Sequence, residues 1–286
     1  MDNNKFHFPI LVFVLGLASF PAFGGDRLLV TGGAQQLEGQ GGGGLVPWAL
    51  IAGYGTRDQV GGSAFATRVE TQDFKTDSYG IAMGLFDRLE LSVAKQAFDA
   101  SSVVPGLKLH MDTFGAKVKV FGDALYEQDS PWPQVSLGAQ YKKNHDMDVP
   151  RAVGAKRDSD TDLYVAATKV WLGGAWGRNV VANLTLRSTR ANQLGFLGFG
   201  GDANDSRELQ AEGSVAVMLS DQVVVGAEYR AKPDNLSAFK EDAFSDAFVA
   251  WFPNKYVAIT AAYANLGSVA GKGGQRGAYL SVQLTY

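Results

Sequence analysis

The stretch AYLSVQLTY, residues 278–286, decides the fold. Every second residue from Ala278 to Tyr286 is apolar or aromatic, and the residues between them are mostly polar. A period of two predicts a β-strand with one apolar and one polar face. A terminal aromatic preceded by apolar residues at every second position resembles the signal read by the outer-membrane assembly machinery. We therefore expect that machinery to be a partner of the chain.

The same alternation recurs in segments of about ten residues along the chain. It predicts an all-β fold, a transmembrane antiparallel up-and-down β-barrel of about 12 strands, with 14 possible because residues 45–56 could add a strand or lie inside the barrel. The alternative is a soluble sandwich, which would pack large apolar side chains into a core. The expected strands are roughly 63–73, 76–86, 89–98, 107–121, 132–142, 160–171, 178–190, 206–219, 222–232, 244–252, 255–266 and 275–286.

Turn lengths and aromatic residues support the barrel. Short turns at one rim and long loops at the other are typical of outer-membrane barrels, because only the loops face the environment. Amphipathic aromatic rings favour the headgroup level of a bilayer. The predicted interface aromatics at the short-turn rim are Trp132, Trp171, Trp251 and Tyr286.

Three regions follow along the chain. Residues 1–24 resemble a secretory signal, with Lys5, a short apolar run and small residues before a cleavage point after Gly24. Residues 25–58 are a glycine-rich segment, predicted as a plug or an extra strand, and residues 59–286 form the barrel. The expected location is the cell outer membrane, where lipid and lipopolysaccharide would be partners.

Composition excludes several function classes. The chain of 286 residues has a formal net charge of −3, which argues against a nucleic-acid partner. Its cysteine count of 0 excludes a disulfide scaffold and a cysteine-based zinc site. We expect no cofactor and no metal.

Two stretches carry a family resemblance. GGGLVPWALIAGYGTRDQVGG (residues 42–62) and DSYGIAMGLFDRLELSVAKQAFD (residues 77–99) resemble an uncharacterised proteobacterial family of outer-membrane β-barrel proteins, a domain of unknown function. The resemblance implies location and fold, and it brings no catalytic residues.

Charged residues on the polar face are the candidates for function. A change of phase near Thr113, accommodated by a β-bulge, would bring the charges of residues 107–121 to one side. The predicted lumen-lining residues are Arg68, Glu70, Glu90, Lys108, Asp112, Lys117, Lys142, Arg187, Glu212, Glu228 and Arg230. They predict a porin-like channel or uptake pore for an unknown small solute. The alternative is a non-conducting barrel, plugged by the N-terminal segment, that serves a structural or partner-docking role.

Three motifs suggest chemistry only weakly. Gly39, Gly41 and Gly44 imitate a dinucleotide fingerprint, but no amphipathic helix follows them. The spacing of residues 158–162, D-x-D-x-D, departs from a calcium loop at later positions, so an outer loop is expected there. A barrel lipid hydrolase would need a serine and a polar partner beside His110. We therefore expect no catalytic residues and no enzyme.

Overall fold

The computed structural model describes residues 33–286, so the predicted signal at residues 1–24 lies outside the described residues. In this part of the chain, no helix is long and apolar enough to span a membrane. The helical elements are α1 (Asp148–Ala152) and a 3-10 helix (Asn192–Gly195). The strands are β1 (Ala34–Gln35), β2 (Gly41–Gly42), β3 (Val60–Thr71), β4 (Lys75–Leu85), β5 (Leu89–Asp99), β6 (Lys108–Phe121), β7 (Gln134–Asn144), β8 (Ser159–Ala175), β9 (Arg178–Thr189), β10 (Glu208–Met218), β11 (Val223–Arg230), β12 (Phe244–Asn254), β13 (Val257–Asn265) and β14 (Arg276–Thr285).

Strands β3 to β14 form one closed antiparallel barrel, which confirms the predicted 12-stranded fold. Each strand pairs with the next along the chain, and β14 returns to pair with β3. The terminal Tyr286 completes the seam, since its backbone exchanges hydrogen bonds of 2.7 and 2.8 Å with Gly62. Closure leaves no unpaired strand edge, which is what a sheet surrounded by hydrocarbon requires.

The two faces of the wall differ in the way that a membrane demands. Large apolar side chains point outward and are exposed, including Leu137, Leu163, Leu184, Val215 and Leu280. A continuous apolar surface of this kind is rare on a soluble monomer and is typical of the lipid-facing band of a barrel. The inner face is mostly polar, with buried glutamine, threonine, serine and charged side chains.

The rims are unequal, as expected. Strands β4–β5, β8–β9, β10–β11 and β12–β13 are joined by short turns at one end, which we call the turn rim. Trp132, Trp171 and Trp251 are exposed near this rim, and Tyr286 ends the chain there with its side chain partly exposed. Most of the longer connections lie at the opposite end, the loop rim. There are two exceptions: residues 122–133 form a long connection at the turn rim, and residues 72–74 join β3 to β4 at the loop rim by a short turn.

Residues 33–56 lie inside the barrel, and we call them the plug. All of residues 35–55 are buried. Both ends of the plug lie toward the turn rim: the Gly33 carbonyl accepts a hydrogen bond from Gln283 near the end of β14, and Gly53 and Gly55 pack on Gly61 at the start of β3. Its tip reaches toward the loop rim, where Leu37 lines a cavity with Phe98 from the end of β5. The plug is therefore a folded-back hairpin, joined internally by β1 and β2.

The expected bulge near Thr113 is wrong. Strand β6 keeps one register against β5 from Lys108 to Val118, so odd-numbered residues face inward throughout. Against β7 the irregularity falls between Lys119 and Phe121, at the turn rim. The side chains of Lys108, His110 and Asp112 consequently point outward.

Candidate functional site

The candidate site is the contact between the plug and the barrel wall, where polar and charged contacts lie beside an apolar cluster that includes Leu37, Leu45, Val46, Trp48 and Leu50 of the plug. Wall side chains hydrogen-bond directly to plug backbone atoms: Ser78 Oγ and Gln96 Nε2 each donate to the Leu37 carbonyl at 2.6 Å. Gln134 Nε2 and Ser136 Oγ each donate to the Ala49 carbonyl at 2.6 Å. The irregular plug backbone thus finds in the wall the partners that regular secondary structure would supply.

Glu38, at the plug tip, is the centre of a buried ion cluster. Its carboxylate contacts the Lys142 ammonium and accepts a hydrogen bond of 2.6 Å from Arg230 Nη1. Lys142 also lies 2.7 Å from Asp162, and Arg230 Nε lies 3.4 Å from Glu212. Burying a charge is costly unless it is paired, and here the plug supplies a carboxylate that two wall cations share.

Arg187 extends this cluster across the wall. Its guanidinium donates to both carboxylate oxygens of Glu212, at 2.5 and 3.1 Å, and to Gln140 Oε1 at 2.5 Å. It also lies over the Tyr164 ring, 5.2 Å from the centroid, and 3.6 Å from Asp162. The bidentate geometry fixes the guanidinium in one orientation.

Two further carboxylates hold the plug lower in the barrel. Glu90 accepts from the backbone N–H groups of Gly41 and Ala52, at 3.0 and 2.8 Å, and pairs with Lys117 at 3.0 Å. Glu228 accepts from the Leu45 N–H at 2.7 Å. These contacts tie the plug backbone to strands β5, β6 and β11.

Glycine is required where Glu228 meets the plug. A Cβ at Gly43 would lie 1.8 Å from Glu228 Oε1, so a larger residue there would displace the carboxylate. On the wall, a Cβ at Gly138 would lie 2.0 Å from the Tyr164 ring, which packs over that strand. The Tyr164 hydroxyl then donates to Gln40 Oε1 at 2.6 Å. The glycines of the plug therefore allow its backbone to approach the wall side chains closely.

A loop folds over the plug at the loop rim. The 3-10 helix and the residues after it fold inward, and Asn144 Nδ2 donates to the Phe196 carbonyl at 2.7 Å. Lys142 Nζ donates to the Leu194 carbonyl at 3.2 Å, so one lysine contacts both the plug and this loop. At the rim, Lys232 pairs with Glu241 at 2.8 Å. Burial lowers the pKa of Lys232 and raises the pKa of Glu241.

An apolar cavity of about 30 Å³ separates the plug tip from this loop. That volume holds about two water molecules. The rings of Phe98 and Phe196 stack at 5.2 Å beside it. The lining residues are Leu37, Leu45, Val69, Thr76, Phe98, Gln193, Leu194, Phe196, Phe244, Ala264, Leu266, Val269 and Tyr279.

Seven of the predicted lumen residues lie in the interior and contact the plug or its neighbours. The sequence predicted that these residues line a water-filled passage. They are instead nearly fully buried, because the plug takes the space that water would occupy. These residues are Glu90, Lys117, Lys142, Arg187, Glu212, Glu228 and Arg230.

Four predicted lumen residues lie on the outer face instead. Each faces an opposite charge on the neighbouring strand, near the loop rim and beyond the apolar band. Charges are tolerated on the outer face there because the strands extend past the hydrocarbon. The pairs are Arg68 with Asp77 at 2.7 Å, Glu70 with Lys75 at 2.8 Å, Lys108 with Asp99 at 3.8 Å, and Asp112 with Lys95 at 3.9 Å.

Sequence reasoning missed Glu38 and Asp162. The D-x-D-x-D motif at residues 158–162 was expected in an outer loop, and a strand was expected from residue 160; β8 in fact begins at Ser159, and Asp162 points inward. Asp158 pairs with Lys143 at 2.7 Å and Asp160 with Arg190 at 2.5 Å. The signal was available for Asp162, which continues the inward register of Tyr164 and Thr168. No pattern in the sequence around Glu38 indicated that its side chain would pair with wall cations.

The histidines bear on the hydrolase alternative. His110 Nδ1 lies 2.8 Å from an Asp146 carboxylate oxygen on the outer surface, and His145 lies 3.1 Å from Asp112. Across the strand pair, Ala97 faces His110. The side chain directly opposite His110 on the neighbouring strand is therefore a methyl group. Among the described residues, no group of three or more histidine or acidic side chains is placed to hold a metal ion.

Comparison with known proteins supports the fold and the family. The family model described as "Protein of unknown function (DUF3034)" matches residues 31–283. No curated protein matches the sequence. The KdgM porin superposes with a TM-score of 0.51 at 9% identity, over 78% of this chain and 99% of that chain, which shows a shared barrel fold.

Two other outer-membrane proteins are more distantly similar. Omp33 of Acinetobacter baumannii has a TM-score of 0.44 at 10% identity, over 80% of this chain and 98% of that chain. The COG4313 outer membrane channel of Pseudomonas putida F1 has a TM-score of 0.41 at 12% identity, over 84% of this chain and 96% of that chain.

Proposed function

This chain belongs to the DUF3034 family, and we propose that it is an outer-membrane channel for small polar solutes, closed at rest by its own N-terminal plug. The exposed apolar band supports the membrane location, because such a surface is unfavourable in water and is typical of a wall that faces lipid. Short turns then face the periplasm, so the plug enters from the periplasmic side.

The observation that carries the proposal is the set of buried polar and charged contacts that join the plug to the wall, beside the apolar contacts of the plug. A permanent core would be stabilised mainly by apolar packing, whose exposure to water is unfavourable. Here wall groups such as Glu90, Lys117 and Lys142 hold the plug, and water can solvate all of them once the plug has moved. The contact is therefore suited to reversible closure.

Single-channel conductance in a planar bilayer tests the proposal. Wild type should stay closed for most of the recording. The full-length variant Glu38→Ala/Glu228→Ala, which loses two plug anchors, should show frequent openings. A matched control, Glu70→Ala, removes an exposed carboxylate on the outer face and should behave like wild type.

Absence of openings in the anchor variant, with the barrel correctly folded, would refute the channel. The non-conducting barrel with a structural or docking role would then take its place. Lipid hydrolysis that disappears in His110→Ala would instead support the enzyme alternative.

A further inference from the structure

The plug tip presents a carboxylate and an apolar side chain side by side, and the wall has a matching site for each. We propose that the wall position occupied by Glu38 in the closed state is the solute-binding site of the open channel. Its ligands are small carboxylates with an apolar or aromatic body. This inference rests on the proposed function, since a solute reaches the site only when the plug withdraws.

The basic half of the site consists of Lys142, Arg187 and Arg230, three cations around one plug carboxylate. Lys142 and Arg230 contact Glu38 directly, and Arg187 lies in the same cluster. Withdrawal of Glu38 leaves these three cations facing two wall carboxylates, Asp162 and Glu212.

At the vacated position the three cations would outnumber the two carboxylates that pair with them, and the next inward-facing carboxylates, Glu228 and Asp246, lie one inward position farther from the loop rim. In a narrow passage with low-dielectric walls, such an excess attracts an anion strongly. Arginine guanidinium groups match the planar geometry of a carboxylate, which favours carboxylates over spherical anions.

The apolar half lies immediately above, toward the loop rim. Leu37, the residue before Glu38, lines the cavity together with Phe98, Phe196 and Phe244. The cavity measures about 30 Å³ while the plug is in place. Withdrawal of the plug removes the side chains of Leu37 and Leu45 from it, and the enlarged space is bounded by aromatic rings. A phenyl or short alkyl group fits such a surface better than a sugar does.

Chemical rescue in the full-length chain tests the site without requiring conduction. Glu38→Ala removes the plug carboxylate and weakens the hold of the wall on the plug, so a free carboxylate can take the position as the plug withdraws. The probes are benzoate, acetate and the neutral analogue benzamide at matched ionic strength. The readout is the temperature at which the folded, faster-migrating gel band disappears.

Glu38→Ala should lower that temperature, and benzoate should raise it again with an apparent affinity at least tenfold higher than that of benzamide. Acetate should act more weakly than benzoate because it lacks the apolar body. The double variant Glu38→Ala/Arg230→Gln should lose the response to benzoate. The control Leu37→Ala retains Glu38 in its place and should show no carboxylate response.

Equal effects of benzoate and benzamide on Glu38→Ala would overturn the proposal. If Glu38→Ala fails to assemble, the refolding yield with benzoate against benzamide gives the same decision: a higher yield with benzoate supports the site, and equal yields refute it. Rescue by benzoate in a protein that never conducts would refute the channel and leave the carboxylate site standing. Channel openings without any effect of carboxylates would refute the carboxylate site and leave the channel standing.

Discussion

Replacement of Arg187 by Met tests whether water is excluded from the barrel interior, because the loss in the free energy of unfolding depends on how well water can replace the lost contacts. The substitution keeps an unbranched apolar stem and removes the guanidinium. The lost contacts are two hydrogen bonds to Glu212, one to Gln140 and the approach to Asp162 at 3.6 Å. The side chain of Arg187 is 1% exposed, so water cannot replace them without entering the interior.

The structure sets the expected size of the effect. Breaking a buried ion pair from one side costs about 3–5 kcal/mol, because the partner charge is left buried. Here Glu212 still has Arg230 at 3.4 Å and Asp162 still has Lys142 at 2.7 Å. The loss in the free energy of unfolding should therefore be near the lower end, about 3 kcal/mol.

A double-mutant cycle with Glu212→Gln isolates the pair. The double variant Arg187→Met/Glu212→Gln should be more stable than the sum of the single effects predicts, by about 1–2 kcal/mol. The assay is equilibrium urea unfolding in lipid vesicles, with the folded fraction read from unheated gels. A loss in the free energy of unfolding below about 1 kcal/mol for Arg187→Met is what an exposed ion pair would give. That result would show that the interior is hydrated and would contradict a lumen filled by the plug.

Three further predictions concern the wall, the seam and a loop. Leu184→Arg places a charge on the lipid face at mid-strand, and it should reduce the yield of membrane-inserted protein and cost about 2–4 kcal/mol in urea unfolding; normal insertion would mean that the faces are reversed. Deletion of Tyr286 removes the terminal aromatic and the backbone bonds to Gly62, so the heat-modifiable band should weaken in membrane fractions, and an unchanged band would show that the C-terminal pattern is only a strand. The Arg157 guanidinium lowers the pKa of Asp205, so the ion pair between them should persist above a pH of about 3.9 and be lost as the pH falls through the lowered pKa. Hydrogen exchange in residues 200–206, corrected for intrinsic rates, should therefore accelerate only at low pH. Protection that does not change with pH would refute the role of this ion pair.

The barrel could be predicted because its signal is local. Alternation in residues such as 278–286 reports directly which side chain faces lipid, and twelve strands follow from repeating that pattern. The inward placement of Arg187, Glu212 and Glu228 follows from the same period of two. Strand β6 shows the limit of the method, since its charges at Lys108 and Asp112 lie beyond the apolar band, where polarity no longer separates inside from outside.

The interior could not be predicted in the same way. The plug lacks a hydrophobic period, and its conformation depends on contacts far apart in sequence, such as Leu45 with Glu228 and Glu38 with Arg230. A glycine-rich segment adopts whatever path its surroundings provide with hydrogen-bond partners. Its position is thus a property of the assembled wall, which a local pattern does not contain.

Reversible locking of the plug tests the channel most directly. The chain has 0 cysteines, and a Cβ built at Gly39 lies 3.0 Å from the Ala94 Cβ. In a Gly39→Cys/Ala94→Cys disulfide the two Cβ atoms would move about 1 Å farther apart, and the backbone at residue 39, with its φ of +99°, would relax to accept a side chain. In the Glu38→Ala/Glu228→Ala background, single-channel recordings should show a closed protein when this disulfide is oxidised and frequent openings after reductant is added to the same bilayer. Identical openings before and after reduction would contradict closure by the plug.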